Sequence, residues 1–271
     1  MKKIAIHSVP RSGSSWLGQI FNSSEQVNFN FQPLFSYAFK DALNKNSSSI
    51  EIDNFFNNIA NSNDSFLSQK DKVDSGIYPK FQKNNLYTHV VYKEVRYHNI
   101  LKNLLEKDSE IKVIGLVRSP FAVINSFLQS PREFRKDLGW NELDEWQYSN
   151  KKNLGKKEEF YGYEKWKEVV LLFNELKDKY PDRFCLVEYI DLLNNTEAEI
   201  KKIFDFCNIG ISKQTLEFIN KSQTLNKEDT YSVYRKKEND DSWIGKLKQQ
   251  IIKEINTDLE ISSLEKYKSE Y

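Results

Sequence analysis

The chain has 271 residues, a formal net charge of +1, two cysteines and three histidines. This length can bury a sizeable core, and the near-balance of charge gives no global field to draw nucleic acid or a membrane surface, so any anion site has to be built locally. Cys185, Cys207, His7, His89 and His98 are too scattered in sequence to form a local metal-ligand cluster, and a reduced, metal-free protein is expected. No apolar stretch long enough for a signal peptide or a membrane span precedes Arg11, which reads as a cytoplasmic chain.

Taken in order, Ile4–Ser8 is a short apolar run ending in a Pro/Gly/Ser cluster, and Trp16, Leu17, Ile20 and Phe21 follow at helical spacing, which predicts strand, loop and helix. Val27–Phe31 suits a second strand, and Leu34–Leu43 and Ile50–Ile59 suit helices. Ser62–Asn85 has little periodicity and reads as a long surface excursion. Leu86–Val95 and the almost wholly apolar Ile111–Val117 read as strands, the latter as a buried parallel one, with a short helix over Ile100–Leu105 between them. Pro120 opens a helix that Pro131 closes. Trp166, Val169, Val170, Phe173 and Leu176 define an amphipathic helix within Tyr163–Tyr180. Phe184–Val187 predicts a strand, Tyr189–Leu193 a turn, Glu197–Phe206 a helix, and Trp243–Ile255 a last helix. Alternating strands and helices without a linker predict a single α/β domain over residues 1–271: a P-loop-like three-layer fold, its central parallel sheet flanked by helices.

Two strand-helix junctions carry the chemistry. In the first, Pro10-Arg11-Ser12-Gly13-Ser14-Ser15-Trp16 stands at a helix N-terminus, where unpaired N–H groups and the macrodipole favour an anion. Gly13 allows close approach of the backbone, Ser14 and Ser15 add hydroxyls, and the Arg11 fork can bond two phosphate oxygens. A nucleoside-triphosphate P-loop would need two glycines and a lysine before Ser/Thr, and that pattern is absent. In the second, Ile111–Val117 delivers Arg118 at the carboxyl end of a strand, where open α/β sheets bind ligands. Ser126 lies eight residues later, a little over two helical turns, so both can converge on a second phosphate.

With these motifs the sequence resembles the sulfotransferases that use PAPS (3′-phosphoadenosine 5′-phosphosulfate), and is most similar to the carbohydrate and Golgi-type branch and related bacterial members. The first loop looks like the family's 5′-phosphosulfate loop, and Val113–Ser126 like its 3′-phosphate site. Phe31-Gln32-Pro33-Leu34 carries the branch likeness. Tyr234-Arg235-Lys236-Lys237 before Trp243 resembles the segment that folds over the nucleotide.

The resemblance implies sulfuryl transfer from PAPS, with no metal, to a hydroxyl or amine of a small-molecule or glycan acceptor, and a carbohydrate or cell-envelope precursor is the expected class. Cofactor contacts would come from Arg11, Ser12, Gly13, Ser14, Ser15, Trp16 against adenine, Arg118, Ser126, and Arg235 or Lys236. Arg11 would stabilise charge at the reacting centre, and Lys93 corresponds to a family lysine.

The base is open. Gln32 stands where several branches carry a glutamate, and an amide cannot take a proton at physiological pH. Glu94 is the substitute, although strand alternation puts Lys93 and Glu94 on opposite faces. His98 is a second candidate, because histidine titrates near neutrality. A catalytically silent PAPS-binding module and a nucleotide kinase are the competing functions. The acceptor and the oligomeric state are not legible in the sequence.

Overall fold

The computed structural model describes residues 1–226, 232–234 and 239–271. Five strands, β1 (Lys2–His7), β2 (Val27–Phe31), β3 (His89–Glu94), β4 (Lys112–Val117) and β5 (Phe184–Glu188), form one sheet in the order β2-β3-β1-β4-β5. Every pairing is parallel. The strands are joined and flanked by α1 (Ser14–Ser23), α2 (Ser49–Ala60), α3 (Ser65–Ser68), α4 (Lys70–Asp74), α5 (Leu101–Lys107), α6 (Pro120–Leu128), α7 (Glu142–Glu145) and α8 (Asn150–Asn153). After them come α9 (Tyr163–Lys179), α10 (Tyr189–Asn194), α11 (Thr196–Cys207), α12 (Lys213–Thr224) and α13 (Gln249–Glu260).

Alternation along the strands builds the two interior layers. Ala5, Val90, Tyr92, Val113 and Val117 pack with residues of α2, α5, α6, α9 and α13. Ile4, Ile6, Val91, Ile114 and Leu116 face the other way, onto α1, α10, α11 and α12. The stripe Trp166, Val169, Val170, Phe173 and Leu176 is buried as its spacing predicts. Pro120 starts α6 at a position where its missing N–H costs nothing.

Four expectations from the sequence are corrected. Leu34–Leu43 is not a helix: after the short 3₁₀ turn Pro33–Phe35, the Ser36 hydroxyl donates to the Pro33 carbonyl at 2.7 Å and accepts from the Phe39 N–H at 3.1 Å. This side-chain bonding replaces a helical ladder. The last helix starts at Gln249 rather than Trp243, since Gly245 takes a left-handed φ of 73° that breaks the run. Tyr189–Leu193 is the helix α10 rather than a turn. The excursion 62–85 contains α3 and α4, and it buries Leu67 and Tyr78.

Candidate active site

The loop after β1 is shaped by two left-handed residues, Arg11 with φ 70° and Gly13 with φ 86°. Gly13 is the N-cap of α1, and no side chain caps this helix. The first N–H groups of α1 therefore lack the oxygen that a Ser or Asp cap would supply, which suits an anion. Glycine is required twice over at this point. Its backbone conformation disfavours side chains, and a Cβ would stand 2.5 Å from Cε2 of Tyr189.

Tyr189, the first residue of α10, joins both phosphate motifs. Its ring meets the Trp16 indole edge-on at 6.2 Å and carries the Arg118 guanidinium 4.9 Å above its centroid. The Trp16 ring is held at its far edge, where Nε1 donates to Ser222 Oγ on α12 at 2.9 Å. Arg118 is buried at the end of β4. Its Nη1 donates to the Arg11 carbonyl at 2.7 Å, and its Nε and Nη2 donate to Asp240. Burial works against the Arg118 charge, but the Asp240 carboxylate more than offsets it and raises the guanidinium above its ordinary pKa. Arg11 Nε donates to Ser126 Oγ at 3.1 Å, tying the loop to α6.

These residues line a cleft of about 1260 Å³ over the carboxyl ends of the strands. Its other end is formed by β2, β3 and the 62–85 excursion. Lys93 points into the cleft with its ammonium 4.5 Å from the Phe31 ring centroid. Burial pulls the Lys93 ammonium below the ordinary lysine value and pushes the adjoining Glu94 carboxyl up. Gln32 also lines the cleft, and its Oε1 accepts from Arg96 Nη1 at 2.9 Å. Arg96 in turn donates from Nε to Glu159 and stacks 4.1 Å over the Phe35 ring. Val95, two residues beyond Lys93, brings an apolar side chain to the same wall.

Past α6 stands Glu133, whose carboxylate accepts from the Tyr161 hydroxyl at 2.7 Å and pairs with Lys152 at 2.7 Å. Burial acts to raise the Glu133 pKa, but Lys152 and Tyr161 hold it below the usual carboxylate value. Among the described residues Glu133 is the only carboxylate lining the cleft, and no histidine lines it.

The family profile described as the sulfotransferase domain matches residues 1–268. The chain belongs to the PAPS-dependent sulfotransferase family. No curated protein sequence matches it. Solved structures share its fold at low identity. A mouse sulfotransferase complexed with PAP aligns with a TM-score of 0.55 and 15% identity, over 100% of this chain and 89% of that one. Retinol dehydratase in a complex with retinol and PAP gives 0.53 and 15%, over 97% and 82%. A sulfotransferase from Alicyclobacillus acidocaldarius gives 0.51 and 9%, over 96% and 92%.

Within this sulfotransferase fold, Arg11, Gly13, Ser14, Ser15, Trp16, Arg118 and Ser126 come together on one stretch of the cleft, with Gln32 and Lys93 further along it. Ser12 does not line it; its hydroxyl is sealed in the loop without a hydrogen-bond partner. Glu94 turns away from the cleft, as alternation requires, and its Oε1 accepts the Leu34 N–H at 2.8 Å. His98 is also sealed, with Nδ1 3.0 Å from His7 Nδ1 and its ring 4.4 Å from that of Phe160. Burial pushes its pKa well below the ordinary histidine value. Arg235 and Lys236 lie outside the described residues.

The sequence reading missed Tyr189 as the hub of the two junctions, and also Phe66, Lys72, Glu133 and Asp240; Tyr161, whose ring the sequence groups with Trp140, Trp146 and Tyr148 as a candidate aromatic platform, does line the cleft. Glu133 and Tyr161 are separated by the length of an irregular segment that no periodicity connects. Phe66 and Lys72 sit in the excursion, where a long ordered loop was itself the available hint.

Proposed function

We propose that residues 1–271 act as one cytoplasmic domain that moves the sulfuryl group of PAPS to a hydroxyl of a small acceptor, releasing PAP (adenosine 3′,5′-bisphosphate). The observation that carries this reading is the pairing of an uncapped, left-handed loop at the N-terminus of α1 with Arg118 and Ser126 on the neighbouring strand-helix junction. Two anion-binding positions side by side at the centre of the sheet fit a nucleotide bearing phosphates at both ends of its ribose. The donor supplies the sulfuryl group and a phosphate leaving group.

The rest falls to the chain. Arg11, tethered to Ser126, presents a fixed positive charge at the head of the loop, where charge grows on the leaving oxygen. Lys93 brings an amine to the same space, its charge disfavoured by burial and restored by a bound anion. For the acceptor's proton we assign Glu133. Gln32 has its oxygen committed to Arg96, Val95 has nothing to offer, and Glu94 and His98 are enclosed. A carboxylate held ionised by Lys152 and Tyr161 can accept a proton at neutral pH.

Phe31, Phe35 and Phe66 form a ring cluster at the acceptor end, with Phe66 lying 5.6 Å from Phe31 and 6.2 Å from Phe35. Such flat apolar faces suit the ring of a sugar or another cyclic alcohol, and a glycan hydroxyl is the acceptor we propose. Incubation with ³⁵S-labelled PAPS and a panel of glycans and cyclic alcohols tests this. Label should pass to at least one acceptor with release of PAP, and PAP binding without transfer to any acceptor would instead favour a silent binding module, the reading that the neutral Gln32 keeps alive.

A further inference from the structure

The side-on Nε/Nη2 edge of Arg118 is taken by a carboxylate. Nε donates to Asp240 Oδ1 at 3.0 Å and to Oδ2 at 2.8 Å, Nη2 donates to Oδ1 at 2.5 Å, and both side chains are only 8% exposed. Nη1 holds the Arg11 carbonyl, and the face of the guanidinium lies on Tyr189. A phosphate that binds the Nε/Nη2 edge in the same two-pronged way cannot share it with the carboxylate.

The carboxylate is placed there by its neighbours. Three residues further on, the Trp243 ring stacks on Phe121 of α6 at 4.9 Å and 26°. The turn that follows is closed by bonds from Ile244 N–H to the Asp241 carbonyl and from Leu247 N–H to the Trp243 carbonyl, each at 2.9 Å. Asp240 thus approaches Arg118 from an anchored segment of the chain.

We propose that Asp240 competes with the 3′-phosphate of the nucleotide for the Arg118 fork. This inference rests on the PAPS reading of the site. A buried arginine without a counter-ion is costly, and Asp240 removes that cost. A phosphate arriving at the fork replaces one anion with another, so it gains far less than it would from an uncompensated arginine. Asp240 thereby holds PAPS and PAP affinity down and returns to Arg118 as PAP departs, which favours product release. The cost falls only on ligands that carry the 3′-phosphate, and this selectivity makes the idea testable.

Calorimetric titration of wild type, Asp240→Asn and Asp240→Glu with PAP and with adenosine 5′-phosphate provides the test. Asp240→Asn keeps the shape and one acceptor oxygen but removes the charge. It should bind PAP about tenfold tighter or better, as expected for lifting a close charge competitor, with adenosine 5′-phosphate affinity unchanged and slower PAP dissociation in stopped flow. Asp240→Glu keeps the charge and should bind PAP no more tightly than wild type, which separates competition from a folding effect. Weaker PAP binding in Asp240→Asn would overturn the proposal and make Asp240 a positioning residue that aims Arg118. Equal gains for both nucleotides would overturn it as well. If wild type binds adenosine 5′-phosphate but gains nothing from the 3′-phosphate in any variant, the PAPS reading fails and the competition falls with it.

Discussion

At the end of the cleft over β1 and β4, each group is fixed by at least one near neighbour: Gly13 by the Tyr189 ring, Arg11 by Ser126, Arg118 by Asp240 and the Arg11 carbonyl. At the other end, over β2 and β3, the wall is a set of side chains drawn from distant parts of the chain, with Phe66 and Lys72 from the excursion and Glu133 and Tyr161 from the segment after α6. The first region is tight and made largely of backbone geometry, while the second is made of exchangeable side chains. A nucleotide common to a family needs one fixed cradle, whereas an acceptor surface can change one residue at a time without disturbing the sheet.

This contrast can be broken by substitution. The largest effect is expected from Arg11→Ala, which removes a charge from both the cradle and the reacting centre; kcat/KM should fall about 10³-fold, measured as PAP release. Glu133→Gln comes next. It should lower kcat about 10²-fold or more while leaving PAP affinity intact in calorimetry, and an unchanged kcat would return the base to an unassigned position. Because Lys152 and Tyr161 hold Glu133 below the usual carboxylate value, its ionised form persists as the pH falls. The kcat profile should therefore show no loss attributable to a base between pH 7 and pH 5.5, where a histidine with a pKa of about 6.5 would produce one.

Gly13→Ala should act mainly on the cradle. The left-handed conformation costs about 1–2 kcal/mol for a side chain, and the Tyr189 ring has to move, so thermal stability and PAP affinity should fall together. The smallest effect on activity is expected from the sealed histidines, which act on acid stability. Burial lowers His98 well below its unfolded value, so it takes up a proton on unfolding, and its contribution to stability, present above about pH 6.5, is lost as the pH drops. Compared with wild type in urea titrations, His98→Phe should lose about 1.4 kcal/mol less stability per pH unit between pH 6.5 and pH 5.

Strand order along the chain, the amphipathic helix of Trp166–Leu176 and both strand-helix junctions at the cleft were legible because each is written in consecutive residues: an apolar run, a 3.6-residue period, a glycine before a helix. The helix expected over Leu34–Leu43 was not legible. Its apolar spacing is real, but Phe35 and Tyr37 stay exposed while Ser36 satisfies the backbone. Glu94 and His98 have suitable chemistry and turn out to be enclosed; Glu133 has the same chemistry in an aperiodic segment and reaches the cleft.

By itself the sequence determined that this chain presents a glycine loop at the start of α1 and an arginine after β4, because local geometry and hydrogen bonding fix those features within a few residues. Only the tertiary structure decided which charged groups share the cleft and which are sealed. It set Asp240 on Arg118 across 122 positions of the chain, three residues before Trp243 packs against Phe121 of α6, a contact with no local signature.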